Sequence, residues 1–82
     1  MFYVYLIQSE KFPNQRYVGY STDLKQRLAD HNAGYSKHTA KFKPWKLITY
    51  IAFSDETSAK NFEMYLKSGS GQAFANKRLW QQ

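Results

Sequence analysis

The chain has 82 residues, enough for one small domain with a single hydrophobic core. It contains no cysteine, which excludes disulfides and thiolate zinc sites and favours a reducing cytoplasm. Twelve Lys and Arg against six Asp and Glu give a net charge of +6, which favours an anionic partner, nucleic acid first. The longest apolar run, Phe2 to Ile7, is too short to cross a bilayer and lacks the flanks of a secretory signal, so we expect neither membrane insertion nor export.

The first half of the chain predicts a β-hairpin followed by a helix. Phe2 to Ile7 is rich in β-branched and aromatic residues and apolar on both faces, which is typical of a central strand. A polar segment joins it to a second strand, Arg16 to Gly19. The helix is predicted to begin at Ser21-Thr22-Asp23, whose side chains can cap free amides, and to end at about His31, shortly before Gly34.

The second half begins with a basic segment, Tyr35 to Lys46, that holds no acid and is interleaved with Phe42 and Trp45. We expect this segment to be a surface loop. A third strand is predicted from Leu47 to Phe53, and a second helix from Ser54-Asp55 to about Lys67. Ser68 to Gly71 breaks this helix, and a third helix is predicted from Gln72 to about Trp80. The order β-β-α-β-α-α predicts an α+β fold in a single domain spanning residues 1–82.

Four polar side chains are predicted to converge on one face of the sheet. The triplets Tyr3-Val4-Tyr5 and Tyr17-Val18-Gly19 lie in the two hairpin strands, so Tyr5 and Tyr17 can point to the same side. Arg27 and His31 follow the apolar stripe of the first helix, which packs against the sheet. Phenol, guanidinium and imidazole groups together can deprotonate water and neutralise a phosphate, which suggests phosphodiester cleavage.

Each of these residues also has an ordinary structural explanation. Arg27 could lay its methylene groups across the sheet and expose its head. His31 lies in the last turn of a helix, where the backbone dipole favours a cation. Tyr5 and Tyr17 could be a cross-strand aromatic pair. The combination, rather than any single residue, therefore indicates a catalytic site.

Glu63 is the one acid on an apolar helical stripe, in line with Ala59, Phe62 and Leu66. The other five acids fall in the hairpin loop, at helix starts or away from the stripe. Glu63 could pair with a neighbouring lysine. It could also hold one Mg²⁺ or Mn²⁺, because a hard cation needs only one carboxylate when waters and phosphate oxygens complete its coordination. Two-metal chemistry would require more clustered acids.

The chain resembles the GIY-YIG nuclease superfamily over nearly its whole length. The resemblance lies in the order of Tyr-x-Tyr, Tyr-x-Gly, helical Arg27 and His31, and helical Glu63. The chain departs from the signature where Tyr3 replaces its first glycine. It is similar to small standalone bacterial domains and to the N-terminal nuclease domain of excinuclease C. The resemblance implies a three-stranded antiparallel sheet flanked by three helices, which cleaves one DNA strand per active site with one divalent metal ion.

The resemblance also implies residue roles. Tyr5, Tyr17, Arg27 and His31 would be catalytic, Glu63 would bind the metal, and Asn76 would lie near the phosphate. The charge pattern adds further expected contacts to nucleic acid, namely Lys37, His38, Lys41, Lys43, Lys77 and Arg78.

The favoured hypothesis is a metal-dependent DNA endonuclease. One alternative is a nucleic-acid-binding module that does not cleave, or that cleaves only with a targeting protein. Another is a protein-interaction domain that uses Phe42 and Trp45. A carboxylate beside a phosphate would weaken plain binding, so Glu63 argues for the nuclease.

Overall fold

The computed structural model describes residues 1–80 and has the predicted α+β architecture. Three antiparallel strands, β1 (Phe2–Ser9), β2 (Arg16–Ser21) and β3 (Trp45–Phe53), form a sheet of order β2-β1-β3. The prediction that the first strand is central is therefore confirmed. Each strand extends two residues beyond its predicted range.

Three helices flank the sheet: α1 (Leu24–Ala33), α2 (Glu56–Lys67) and α3 (Gly69–Arg78). The start of α1 is set by Asp23, whose carboxylate accepts a hydrogen bond from the Gln26 amide at 3.1 Å. A carboxylate, rather than one of the preceding hydroxyls, thus caps the helix. Gly34 ends α1 with φ of 84°, a left-handed conformation that glycine adopts without steric cost. None of the helices described for residues 1–80 is long and apolar enough to span a bilayer.

Strand register decides which side chains share a face. Tyr5 lies opposite Gly19 of β2 and Tyr50 of β3, and Ile7 lies opposite Tyr17. Because side chains alternate along a strand, Tyr5 and Tyr17 project to the same side of the sheet, as diagonal neighbours. The predicted placement of these two tyrosines on one face is thereby confirmed.

The sheet is covered on both faces. On one face Val4 and Leu6 pack with Ala59 and Leu66 of α2 and Ala75 of α3. On the other, Tyr5, Ile7 and Trp45 form a second core, joined by half-buried residues from α1, the strands and the basic segment: Tyr17, Leu24, Leu28, Phe42 and Leu47. Strands β2 and β3 are the two edges of the sheet. Side chains from helices on opposite faces can therefore meet around either of these edges.

The predicted surface loop, Tyr35 to Lys46, is partly wrong. It contains a short 3-10 helix, Ala40–Phe42, and its last two residues begin β3. Trp45 is 5% exposed because it packs in the second core and its indole N–H donates to the Thr39 carbonyl at 2.9 Å. Phe42 is half-buried against it. A protein-interaction surface built on Phe42 and Trp45 is therefore contradicted.

The predicted break from Ser68 to Gly71 is also too long. A single residue, Ser68, separates α2 from α3, and its hydroxyl caps α3 by accepting from the Gly71 amide at 3.2 Å. Gly71 permits this tight junction, since a Cβ there would lie 1.7 Å from the Tyr65 carbonyl oxygen. The third helix therefore begins three residues earlier than predicted and ends at Arg78.

Candidate active site

A buried hydrogen-bonded chain lies under the first helix. The Tyr5 hydroxyl is 2.8 Å from His31 Nε2, and His31 Nδ1 is 2.7 Å from the Thr39 hydroxyl oxygen. Tyr5, His31 and Thr39 are each at most 2% exposed. Both imidazole nitrogens are thus engaged, which fixes the ring in one orientation.

Burial keeps Tyr5 and His31 neutral. It raises the pKa of the Tyr5 phenol, with Tyr17 adding to the effect and Arg27 opposing it. Burial also lowers the pKa of His31, and the positive charge of Arg27 lowers it further. At neutral pH the pair therefore consists of an uncharged phenol and an uncharged imidazole.

Gly19 makes the position of Tyr5 possible. A Cβ at Gly19 would lie 2.3 Å from both Cζ and the hydroxyl oxygen of Tyr5. The phenol ring therefore lies directly over the backbone of β2 at this point. The glycine of the second triplet serves this close approach, by which the Tyr5 hydroxyl reaches His31.

Tyr17 packs beside the buried chain and is more exposed. Its ring centroid is 5.3 Å from that of His31, nearly edge to face, and 6.4 Å from that of Tyr5. The Lys67 ammonium lies 5.8 Å from the centre of the Tyr17 ring. Tyr17 therefore connects the α1 side of the sheet with α2, around the β2 edge.

Glu63 of α2 is linked to Tyr17 at the β2 edge by Lys67, which pairs with Glu63 and lies over the Tyr17 ring. Its carboxylate accepts a hydrogen bond from Lys67 at 3.1 Å, and the Glu63 side chain is 21% exposed. The Glu63 charge also acts on Tyr5, whose pKa it helps to raise. The carboxylate thus lies within electrostatic range of the tyrosine cluster, although α2 packs on the opposite face of the sheet.

Arg27 is exposed on α1, one helical turn before His31, and its positive charge acts on both Tyr5 and His31. Within residues 1–80 it forms no ion pair. Its guanidinium is therefore available to an anion arriving from solvent at this site.

The remaining predicted contacts fall into two groups on opposite faces of the sheet. Lys37, His38, Lys41 and Lys43 are exposed around the short 3-10 helix, next to the C-terminus of α1. Asn76, Lys77 and Arg78 are exposed on α3, and Asn76 lines a cavity together with Tyr17 and Lys67. The structure thus brings Asn76, but not the loop lysines, to the cavity beside Tyr17.

The donor set suits a hard cation that keeps most of its waters. In the described part of the chain no three His, Asp or Glu side chains cluster as a closed metal site. Glu63 offers a half-buried carboxylate whose ammonium partner, Lys67, lies over the Tyr17 ring. One such carboxylate fits Mg²⁺ or Mn²⁺, which bind through few protein oxygens and several waters.

Two residues of this site have no clear signal in the sequence. Thr39 lies within a polar segment, and only the folded structure places its hydroxyl against His31. Lys67 is an ordinary i,i+4 partner of Glu63 by spacing, and its approach to Tyr17 depends on how α2 packs. His31 on the apolar stripe of α1 is the one hint in the sequence, because a buried imidazole requires polar partners.

Comparison with known proteins assigns the class. Residues 1–78 match the family model described as the GIY-YIG catalytic domain. The chain therefore belongs to the GIY-YIG family, which confirms the family resemblance and the prediction of an endonuclease-type catalytic domain. The similarity to excinuclease C stays a prediction.

Individual relatives are of two kinds. Over 66 residues the chain is 39% identical to the structure-specific endonuclease subunit slx1 of Talaromyces marneffei, covering 72% of this chain and 17% of that protein. Over 52 residues it is 44% identical to a UPF0213 protein of Streptococcus pyogenes serotype M5, covering 62% of this chain and 56% of the relative. The chain thus matches about a sixth of the slx1 protein and about half of the streptococcal one.

A solved structure supports the fold. The solution NMR structure of a UPF0213 protein from Bacillus halodurans superimposes with a TM-score of 0.56 and 27% identity, covering 94% of this chain and 84% of that one. The predicted three-stranded antiparallel sheet with three helices is confirmed by this likeness and by the observed element order.

Proposed function

We propose that this chain is an endonuclease that hydrolyses phosphodiester bonds in DNA, one strand per active site, with one Mg²⁺ or Mn²⁺ ion. The observation that carries the proposal is the convergence of Tyr17, the neutral Tyr5–His31 pair, Lys67 and Glu63 at the β2 edge. Metal-dependent hydrolysis of a phosphodiester uses anion-binding, proton-accepting and metal-binding groups.

In this proposal Tyr17 takes the proton of the attacking water. As the bond from water oxygen to phosphorus forms, the proton passes to the Tyr17 oxygen and the bond from phosphorus to the 3′ oxygen breaks. Lys67, whose ammonium lies 5.8 Å from the centre of the Tyr17 ring, places a positive charge beside this group. Tyr5 stays protonated because burial raises its pKa, so it serves as a positioning group rather than as the base.

The other residues act on the phosphate and on geometry. The exposed guanidinium of Arg27 binds the non-bridging phosphate oxygens and their increased charge in the transition state. The Tyr5–His31–Thr39 chain holds the imidazole against which the Tyr17 ring packs. Glu63 would hold the divalent ion, whose contribution when bound is Lewis-acid stabilisation of the departing oxygen.

The charge and the relatives support two further parts of the proposal. Exposed Lys37, Lys41 and Lys43 would bind the DNA backbone without reading its sequence. The relatives named slx1 are described as subunits, so we propose that a partner protein directs this chain to its substrate. The absence of cysteine supports a cytoplasmic location.

Nicking of supercoiled plasmid in the presence of Mg²⁺ tests the proposal. We expect the wild-type chain to nick the plasmid and Tyr17→Phe, which removes the proton acceptor, to lower the rate at least about 100-fold. Tyr35→Phe is the matched control, because Tyr35 is 80% exposed and lies outside the site. Salt-sensitive DNA binding without nicking by the wild-type chain, with any divalent metal, would instead favour the non-cleaving module.

A further inference from the structure

A cavity of about 380 Å³ opens directly beside the candidate active site, on the side of α2 and α3. Tyr17 and Lys67 form part of its wall, so the cavity is continuous with the residues that the proposed function assigns to the scissile phosphate. A group bound in the cavity would therefore lie next to the reacting phosphate.

The cavity has an apolar floor. Val18 of β2, Leu66 of α2 and Ala75 of α3 line it, together with the indole of Trp80. Leu66 and Ala75 are each 2% exposed and belong to the first core, so this floor is fixed by packing. A rigid apolar surface next to a phosphate site suits the flat face of a nucleobase.

Stacked planar groups form one wall. The Arg16 guanidinium lies 4.8 Å from the centre of the Trp80 ring, and its Nε donates to the Gln8 side-chain oxygen at 3.2 Å. Unstacked bases bind on aromatic rings and on guanidinium planes, and such stacking accepts any base. Arg16 also adds positive charge for a phosphate that accompanies the base.

Two amide side chains supply polar contacts on the α3 wall. Gln72 and Asn76 are one helical turn apart, at i and i+4, so they lie on the same face of α3. The Gln72 amide nitrogen donates to the Lys67 carbonyl at 3.1 Å, which orients the side chain so that its oxygen can accept a hydrogen bond from a base. Asparagine and glutamine amides match the donor and acceptor groups on base edges.

We infer that this cavity binds a single unpaired nucleotide next to the phosphate that is cut. This inference rests on the proposed function for the position of the phosphate, and it adds the class of substrate: DNA with an unpaired nucleotide at the cleavage point. A base held in a duplex stack cannot enter a side cavity unless it is first extruded, at a cost in free energy that an unpaired base avoids.

The test compares two labelled duplexes of the same sequence, one fully paired and one with a single unpaired nucleotide. Binding is measured by fluorescence anisotropy in EDTA, so that no cleavage intervenes. We expect the wild-type chain to bind the duplex with the unpaired nucleotide about tenfold more tightly. Gln72→Leu and Trp80→Leu should each reduce that ratio towards one, with affinity for the paired duplex unchanged.

Gln26→Leu is the matched control, since Gln26 is an exposed helical glutamine whose amide also makes one hydrogen bond, to Asp30 on α1. It should keep the wild-type ratio. Equal wild-type affinity for the two duplexes would overturn the inference, as would a preference that both cavity variants retain.

This experiment separates the cavity from the catalysis. A clear preference in EDTA that depends on Gln72 supports the cavity even if plasmid nicking fails. Plasmid nicking with equal affinity for the two duplexes supports the nuclease and contradicts the cavity.

Discussion

Hydrogen bonds and close packing, rather than ion pairs, fix the buried residues of this site. Tyr5 and His31 share a buried hydrogen bond while both are neutral, and Thr39 completes the chain. Among residues 1–80 no buried side-chain nitrogen or oxygen lacks a hydrogen-bond partner, so this polar chain is satisfied within the core. Its position depends on Gly19, where only a hydrogen leaves room for the Tyr5 ring.

Gly19→Ala is expected to displace the Tyr5 ring and break its hydrogen bond to His31. The added methyl group would lie 2.3 Å from ring atoms that are buried and cannot move freely. We expect a loss of about 2 kcal/mol in the free energy of unfolding, measured by urea denaturation. Unfolding at the wild-type urea concentration would contradict this account of Gly19.

The lowered pKa of His31 predicts a pH dependence of stability. In the unfolded chain His31 binds a proton near pH 6.5, whereas burial keeps the folded imidazole neutral to lower pH. Between these two pKa values the unfolded state binds more protons, so the free energy of unfolding falls as the pH decreases from 6.5. Well above pH 6.5 both states are neutral at this residue and the contribution is constant.

Urea denaturation at several pH values between about 5 and 7.5 measures this dependence. His31→Gln should flatten the slope below pH 6.5, because the titrating group is gone. His38→Gln is the matched control, since His38 is the other histidine of the sequence and is exposed in the basic segment. An unchanged slope in His31→Gln would show that other groups cause the dependence.

The strands and helices that carry the site meet at the β2 edge. Helix α1 covers one face of the sheet and α2 covers the other, yet Tyr17 on β2 contacts His31 of α1 and Lys67 of α2. Helix α2, which carries Glu63 and Lys67, joins α3 through a single residue, Ser68, and Gly71 packs against the Tyr65 carbonyl at this junction.

Gly71→Ala is expected to disrupt this junction. Its methyl group would overlap a backbone carbonyl, so we expect a loss of about 3 kcal/mol in the free energy of unfolding. Gly69→Ala is the matched control in the same helix, since nothing lies within 4 Å of its added Cβ. That control should be neutral or stabilise the chain by up to about 1 kcal/mol. Equal thermal unfolding of the two variants would contradict the role of Gly71.

Much of the overall fold follows from local sequence. Alternation along β1 and β2 places Tyr5 and Tyr17 on one face, and Asp23 and Gly34 mark the ends of α1, because strand pleat and helix caps are local properties. Burial of Trp45 and Thr39 was not predictable, since it depends on how the basic segment folds back under α1. The early start of α3 depends likewise on a contact between two helices.

The candidate site, like the fold, has features that the sequence predicts and features that only the structure shows. The sequence suggests the residue types of the site, because Arg27, His31 and Glu63 interrupt apolar helical stripes. It does not show that Lys67 joins Glu63 to Tyr17, or that Thr39 holds His31, since both contacts bring together separate elements of the fold.

If Glu63 and Tyr17 belong to one hydrolytic site, two glutamates of α2 should differ in their effect on plasmid nicking. Glu63 and Glu56 each form an i,i+4 ion pair with a lysine, but only Glu63 has a partner that lies over Tyr17. The measurement is the rate of plasmid nicking in Mg²⁺ by Glu63→Gln and Glu56→Gln. We predict that Glu63→Gln loses nicking while Glu56→Gln keeps the wild-type rate. Wild-type nicking by Glu63→Gln would show that Glu63 and Tyr17 do not form one hydrolytic site.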